Sequence, residues 1–328
     1  MSSHDSDYRD GNYPGPYKFS ATYHNWQQTR AQVAEALQTD AGKIWFFYLP
    51  GHIGDHVSAL TLIGAFKQQR GNPPIAVVHS GPKDLEALFA HCADVFASPT
   101  PDLLSLLPLT RFAPGYPFIV EPHCYADGRL LDLFPVCTVN DLVRFQLRLP
   151  MHTKLVPPQP PALARINAAQ AFARHGLALG RTVLLAPYSN SMPRLPVDWW
   201  AAAADYIKSR GFLAVTNTPN HFGHVKSEPP VPGTVGVDLP LVELIPFLEC
   251  AGHLLAPAQG LCDLLAFANA KLKILFTPMY FFDGMRPEDG PSPTGGYSLQ
   301  RNYAPLACQE YSLTLEAPFD PAILEGWF

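Results

Sequence analysis

Three stretches of this chain place ligand-binding residue types where a strand is expected to hand over to a helix. The first is Pro50-Gly51-His52-Ile53-Gly54-Asp55-His56. Its glycines permit a tight turn and close approach of the backbone to a ligand, and free amides at a helix start attract anions. Asp55, between two histidines, can act as a general base or simply cap the helix. His56 either orients that carboxylate or is an incidental helix residue. The second stretch, Ala186 to Trp200, carries Ser189, Asn190 and Arg194 in a small-polar loop. Arg194 can grip a phosphate bidentately or lie on the surface. The third, Ala256-Pro257-Ala258-Gln259-Gly260-Leu261-Cys262-Asp263, offers backbone amides at a helix start to a phosphate, or is an ordinary loop with glycine near the cap. None of the three is a P-loop or a G-x-G-x-x-G fingerprint. His221 and His224 have no third ligand nearby, and no zinc spacing occurs, so neither metal nor cofactor is expected. Lys271 and Lys273 flank a strand start and are expected to be solvated.

The elements that must position these loops follow from hydrophobic pattern. A short helix is expected over Trp26–Leu37, where Trp26, Arg30, Val33 and Leu37 share a face. The continuous apolar run Ile44–Leu49 and the later Ile75–His79 suit strands buried on both faces of a parallel sheet. Helical periodicity covers Asp55–Arg70 and Asp84–Cys92, a strand is expected at Pro117–Glu121, and a helix at Val139–Leu149. A proline-rich stretch at 156–162 reads as a stiff spacer. The rhythm then restarts. Helices are expected at Ala162–His175, Val197–Arg210, Leu241–Cys250 and Gly260–Ala270, and strands at Thr182–Pro187, Phe212–Val215, His253–Ala256 and Leu272–Phe276. The expectation is two α/β units: an N-terminal Rossmann-like domain over 1–155 (with 1–43 as lead-in), a linker at 156–162, and a C-terminal Rossmann-like domain over 163–328. Two such domains would meet at the carboxyl ends of their sheets, where these folds bind ligands.

Composition narrows the partners. The 328 residues match two domains at ~150 residues each. Hydrophobic residues make up 47%, enough for a large core, while charged residues are only 16% and prolines number 35, scattered without period. Net charge −5 argues against general nucleic-acid binding, which needs many cations. No apolar run is long enough to cross a membrane, and the polar, acidic start is not a secretory signal. The six cysteines form no Cys-x-x-Cys pair and read as reduced thiols of a cytoplasmic protein.

The three loops, taken in order, resemble those of the heptosyltransferases of bacterial lipopolysaccharide synthesis, glycosyltransferase family 9. GHIGDHVSALTLIGAFKQQRG (51–71) is similar to the family's opening Gly-x-x-Gly-Asp loop and helix. LLAPYSNSMPRLPVDWWAAAADYIKSRG (184–211) is similar to the start of its second domain, and LVELIPFLECAGHLLAPAQGLCDLLAFANAKLKILFTP (241–278) to its last block. The resemblance implies a GT-B fold, two Rossmann-like domains with parallel sheets facing an interdomain cleft. It implies inverting transfer of a sugar from a nucleotide diphosphate sugar to a saccharide, glycolipid or protein acceptor, without a metal. Asp55 falls on the catalytic aspartate. Gly54, Ser189, Asn190, Arg194, Gln259, Gly260 and Asp263 would bind the nucleotide sugar. It also implies a cytoplasmic enzyme in transient contact with the inner membrane, its acceptor entering over Gly81–Leu88 and Ala97–Pro114.

The chain departs from the family pattern at the donor side. The family's Asp-Ser/Thr-Gly is here Ala258-Gln259-Gly260, and its following histidine is Asp263. The family lysine aligns with Pro193, one residue before Arg194, and the next tryptophan is Leu195. ADP-heptose is therefore not implied as donor. A catalytically degenerate GT-B protein that binds a sugar nucleotide or a partner protein is the alternative, and a sugar-nucleotide epimerase a third reading.

Overall fold

The computed structural model describes residues 16–97, 109–121, 137–189, 193–218, 228–277, 297–305 and 307–328. Helix α1 (Pro16–Ala36) buries Trp26 and Val33. It begins well before Trp26, because the apolar stripe marks only the part of a helix that meets the core, and proline is acceptable in a first turn. Then follow β1 (Trp45–Leu49), α2 (Ile53–Gln69), β2 (Ile75–His79), α3 (Asp84–Leu88), β3 (Val95–Ala97) and β4 (Pro117–Ile119). These strands form one parallel sheet in the order β3-β2-β1-β4. The unbroken apolar runs are explained by burial on both faces. Phe46 and Tyr48 face Trp26 of α1, while Phe47 packs on Phe66 of α2.

After α4 (Val139–Gln146) and α5 (Ala162–Arg174) the second sheet forms. It is built from β5 (Thr182–Leu185), β6 (Leu213–Asn217), β7 (Val235–Val237), β8 (Gly252–Pro257), β9 (Lys271–Phe276) and β10 (Ala307–Ser312). Helices α6 (Val197–Ser209), α7 (Leu241–Ala251), α8 (Gly260–Leu265) and α9 (Leu299–Tyr303) connect them. All pairings are parallel, in the order β10-β9-β8-β5-β6-β7. In both sheets the strand order reverses beside the first strand, between β1 and β4 and between β5 and β8. Such reversal points are where loops splay apart and ligands bind.

The proline-rich stretch does not hang free as a spacer. The Val156 amide donates to Thr61 of α2 (3.0 Å) and Gln159 to Leu88 of α3 (2.8 Å), so it lies against the first unit. Helices α3 and α8 stop earlier than their patterns suggest. Strands β3, β7 and β10 and helix α9 carry too little apolar periodicity to have been expected. One consequence corrects the sequence reading. Lys273 is not solvated but only 6% exposed, because β10 pairs beside β9 and Gln309 accepts its ammonium at 2.9 Å. Lys271, one strand position earlier on that face, is exposed as expected.

Gly64 marks tight packing in the middle of α2. A methyl there would lie 2.6 Å from the Cys92 sulfur and 3.0 Å from Val156 Cβ. Overpacking typically costs ~1–3 kcal/mol, more than the gain in helix propensity over glycine, which is below ~1 kcal/mol. Gly64→Val should lower the unfolding free energy by about 1–3 kcal/mol in urea titration. An unchanged midpoint would show that the proline segment is free to move away.

Candidate functional site

The two units touch backbone to backbone where α2 and α8 begin. A methyl on Gly260 would sit 2.5 Å from the Gly54 amide nitrogen, and one on Gly54 would sit 3.1 Å from Gly260 Cα and 2.5 Å from the Asp263 carboxylate. Only residues without Cβ fit this contact at both positions. Each loop follows a strand at a reversal point: 50–52 follows β1, and 258–259 follows β8. The contact therefore stands at the carboxyl ends of both sheets.

Asp55 is 8% exposed and one of its oxygens accepts the His52 amide at 2.8 Å. It thus caps α2, and the same bond fixes the carboxylate at the contact. His56 does not orient it. Its ring nitrogens meet two carbonyls instead, His52 at 2.6 Å and Leu49 at 3.1 Å, and brace the turn between β1 and α2. Burial pushes this imidazole below its ordinary pKa, against the opposing pull of the His52 carbonyl and Asp55. Gly51 has φ +98, a left-handed conformation in which a side chain would strike Asp55.

The structure gathers Gly54, Asp55, Gln259, Gly260 and Asp263 at one place. Gln259 donates to the Ala186 carbonyl at 2.8 Å, which ties the loop after β8 to the loop after β5. Ser189, in that second loop, is 7% exposed. Arg194 is turned to Glu228 (2.6 Å) and over the Tyr188 ring, on an exposed surface. Asn190 lies outside the described residues, as do His221 and His224.

Asp263 belongs to a network that was not legible in the sequence. The Tyr303 hydroxyl, on α9, lies 2.8 Å from Ser58 of α2 and also bonds Asp263. Burial, with Asp263 next, holds that phenol well above its usual pKa. The neighbouring Asn302 accepts two hydrogen bonds from Asn140 of α4, at 3.0 and 2.8 Å. The Leu241 amide at the start of α7 donates to Asp84 of α3 at 2.7 Å. These bonds fasten the second unit to the first on both sides of the glycine contact.

No family model and no curated protein matches the sequence. Solved structures do match. The glycosyl transferase family 9 protein of Veillonella parvula superposes with a TM-score of 0.54 at 13% identity, over 83% of this chain and 86% of that one. The E. coli ADP-heptose lipopolysaccharide heptosyltransferase II gives 0.54 at 13% identity, over 87% and 94%. The fold is GT-B. Identity this low establishes the architecture and leaves the chemistry to the site.

One further side chain stands at this edge of the first GT-B sheet. His79, the last residue of β2, is 4% exposed, and among the described residues its ring nitrogens make no hydrogen bond. The Glu86 carboxylate lies 3.5 Å away and the His56 ring 5.6 Å centroid to centroid. Its position at a strand's carboxyl end was the available signal, obscured by reading it only as strand. Burial, and then the charge of His56, lower its pKa to about 4. The folded state therefore disfavours its protonation. The stability it confers is complete above pH 6.5 and is lost as pH falls from 6.5 through 4. That loss amounts to about 3 kcal/mol for one such group. His79→Leu should flatten the acid limb of unfolding free energy measured between pH 7 and pH 4. An unchanged acid limb would show that His79 takes no part in it.

Proposed function

We propose that the protein is a glycosyltransferase that moves a sugar from a nucleotide diphosphate sugar to a saccharide, glycolipid or protein acceptor, with inversion. The observation that carries this reading is the position of Asp55. Its carboxylate is fixed by the His52 amide at the point where the reversal-point loops of the two GT-B sheets meet. A ligand held by both loops would have its reacting bond beside that carboxylate.

In this reading Asp55 takes the proton from the acceptor hydroxyl as the acceptor oxygen attacks the anomeric carbon. The nucleoside diphosphate leaves from the opposite face of the sugar. Its charge would meet the first-turn amides at Gly54 and Gly260, polar groups of Ser189, Asn190 and Gln259, and Arg194 after release from Glu228. Preorganised donors of this kind supply much of the stabilisation in such reactions. Asp263 is a carboxylate where a diphosphate would lie. Tyr303 holds it by hydrogen bond, so it sets the geometry of the donor side rather than facing the phosphates.

The unit over 1–155 would take the acceptor and the unit over 163–328 the donor, joined at 156–162. The acceptor would enter over Gly81–Leu88 and Ala97–Pro114, of which 98–108 lie outside the described residues. Among the described residues no helix is long and apolar enough to cross a membrane. A cytoplasmic protein in transient contact with the inner membrane surface fits a lipopolysaccharide-type acceptor. The donor sugar need not be heptose, since the loop 258–263 departs from the family pattern. The GT-B neighbours that superpose over most of this chain bear glycosyltransferase names, and the retained Asp55 favours transfer over a degenerate binding role.

Asp55→Asn keeps an oxygen to accept the His52 amide but cannot take a proton. It should retain the fold and donor binding, measured by thermal shift, and lower kcat at least ~10²-fold. Full activity of this variant on the true substrate would reduce Asp55 to a helix cap.

A further inference from the structure

At the end of α2 remote from Asp55, two arginines lie over one aromatic floor, and a third, Arg111, precedes a residue of that floor, Phe112, in the chain. Trp45, Phe66 and Phe112 pack edge to face, with centroids 4.9 to 5.9 Å apart. Arg70 stands over Phe66 at 5.4 Å and Arg148 over Phe112 at 4.7 Å, and Arg111 stands over Tyr116 at 4.8 Å. All three are exposed. Among the described residues none has a carboxylate within ion-pair distance. The nearby carboxylates Asp94 and Asp141 are already held by Lys67 and Arg144. A guanidinium stacked by its face keeps its edge N–H groups for phosphate oxygens.

Apolar side chains flank the same patch. Phe145 is 73% exposed and Met151 53% exposed. Each is three residues from Arg148 in the chain. The Arg148 amide donates to Phe145 at 3.1 Å, and Gln69 of α2 bonds Thr153 at 3.2 Å, just past Met151. The net charge of −5 conceals a segregation. Residues 142–197 contain no Asp or Glu and seven Lys or Arg. Phe145, Met151, Arg148 and the exposed Lys154 all belong to that stretch.

We propose that this patch is a docking surface for an anionic lipid bilayer, with Arg70, Arg111 and Arg148 on the phosphates and Phe145 and Met151 in the headgroup layer. Cations combined with exposed apolar side chains are the two terms that hold a protein at an interface. The charge is complementary to anionic lipid, and the apolar residues have no role on a free polyanion such as nucleic acid. The surface is the opposite end of the first unit from the 81–88 rim. Docking there would leave the glycine contact away from the bilayer, about 25 Å along the 17 residues of α2. The inference rests on the glycosyltransferase reading only for the need to visit a membrane; the docking itself is tested without a sugar.

The test is co-sedimentation of the full chain with vesicles of phosphatidylglycerol and phosphatidylcholine in equal parts, against phosphatidylcholine alone, at low and high salt. The wild type should pellet with the anionic vesicles and be released by salt. The combined variant Arg70→Gln, Arg111→Gln, Arg148→Asn should lose at least about tenfold in partitioning, at roughly fivefold per charge. Asn is chosen at 148 because the residue has φ +53, which asparagine accepts. Phe145→Ser with Met151→Ser should weaken pelleting with the anionic vesicles at low salt. Circular dichroism melting of each variant confirms the fold, and Asp55→Asn should bind vesicles as the wild type does. The proposal is overturned by equal pelleting with neutral vesicles, by undiminished binding of the triple-arginine variant, or by a mixed-sequence oligonucleotide that displaces the vesicles at lower phosphate concentration.

Discussion

The approach of Gly54 to Gly260 is the constraint on which the arrangement depends. Two α/β units can be joined in many ways, but only a contact without Cβ atoms brings the first turns of α2 and α8 to within backbone distance. That distance decides where Asp55 stands, since it is fixed to the same turn by the His52 amide. It also decides where Asp263 points, since the carboxylate rests against Gly54. The hydrogen bond from the Leu241 amide to Asp84 and those linking Ser58, Tyr303 and Asp263 hold the approach. A displacement of either unit would have to break buried polar pairs, each costly to leave unsatisfied.

Much of this was legible in the sequence because parallel sheets write themselves in unbroken apolar runs. WFFYL, IAVVH and TVLL have no polar alternation because both faces are covered, and the loops after them were found by the same reading. The parts that were missed have physical reasons. Strands β3 and β7 are three residues long and half exposed, too short for a period. Strand β10 carries Gln309 and Glu310 at an edge and has no apolar signature, which is why the burial of Lys273 could not be foreseen. At the site, the residue types and the family resemblance marked Asp55 and Gly260 as candidates. They could not show that His56 braces carbonyls rather than the carboxylate, or that Tyr303, far away in sequence, closes over Asp263. Such roles depend on where the chain returns, and α9 returns through a segment with no periodic signal.

The molecule separates its tasks along α2. The amino end carries the glycine contact, the fixed carboxylate and the histidines of the first sheet's carboxyl edge. The far end carries Arg70 over Phe66, Arg148 over Phe112 and Arg111 over Tyr116. Among the described residues Arg70, Arg111 and Arg148 have no carboxylate within ion-pair distance, so the overall acidity is a poor guide to this surface. Burial acts in the opposite sense at the amino end, where it keeps His56 and His79 neutral near pH 7 beside the carboxylate proposed as base.

The central claim is that the glycine contact builds the donor site. It is tested most directly by calorimetric titration of ADP, UDP and GDP into the full chain and into Gly260→Ala. The account predicts that at least one nucleoside diphosphate binds the wild type. It also predicts that the added methyl, which must push the Gly54 amide aside, weakens that binding at least ~10-fold, a loss of about 1.4 kcal/mol. Absence of binding by all three, or equal affinity in the two proteins, would contradict it.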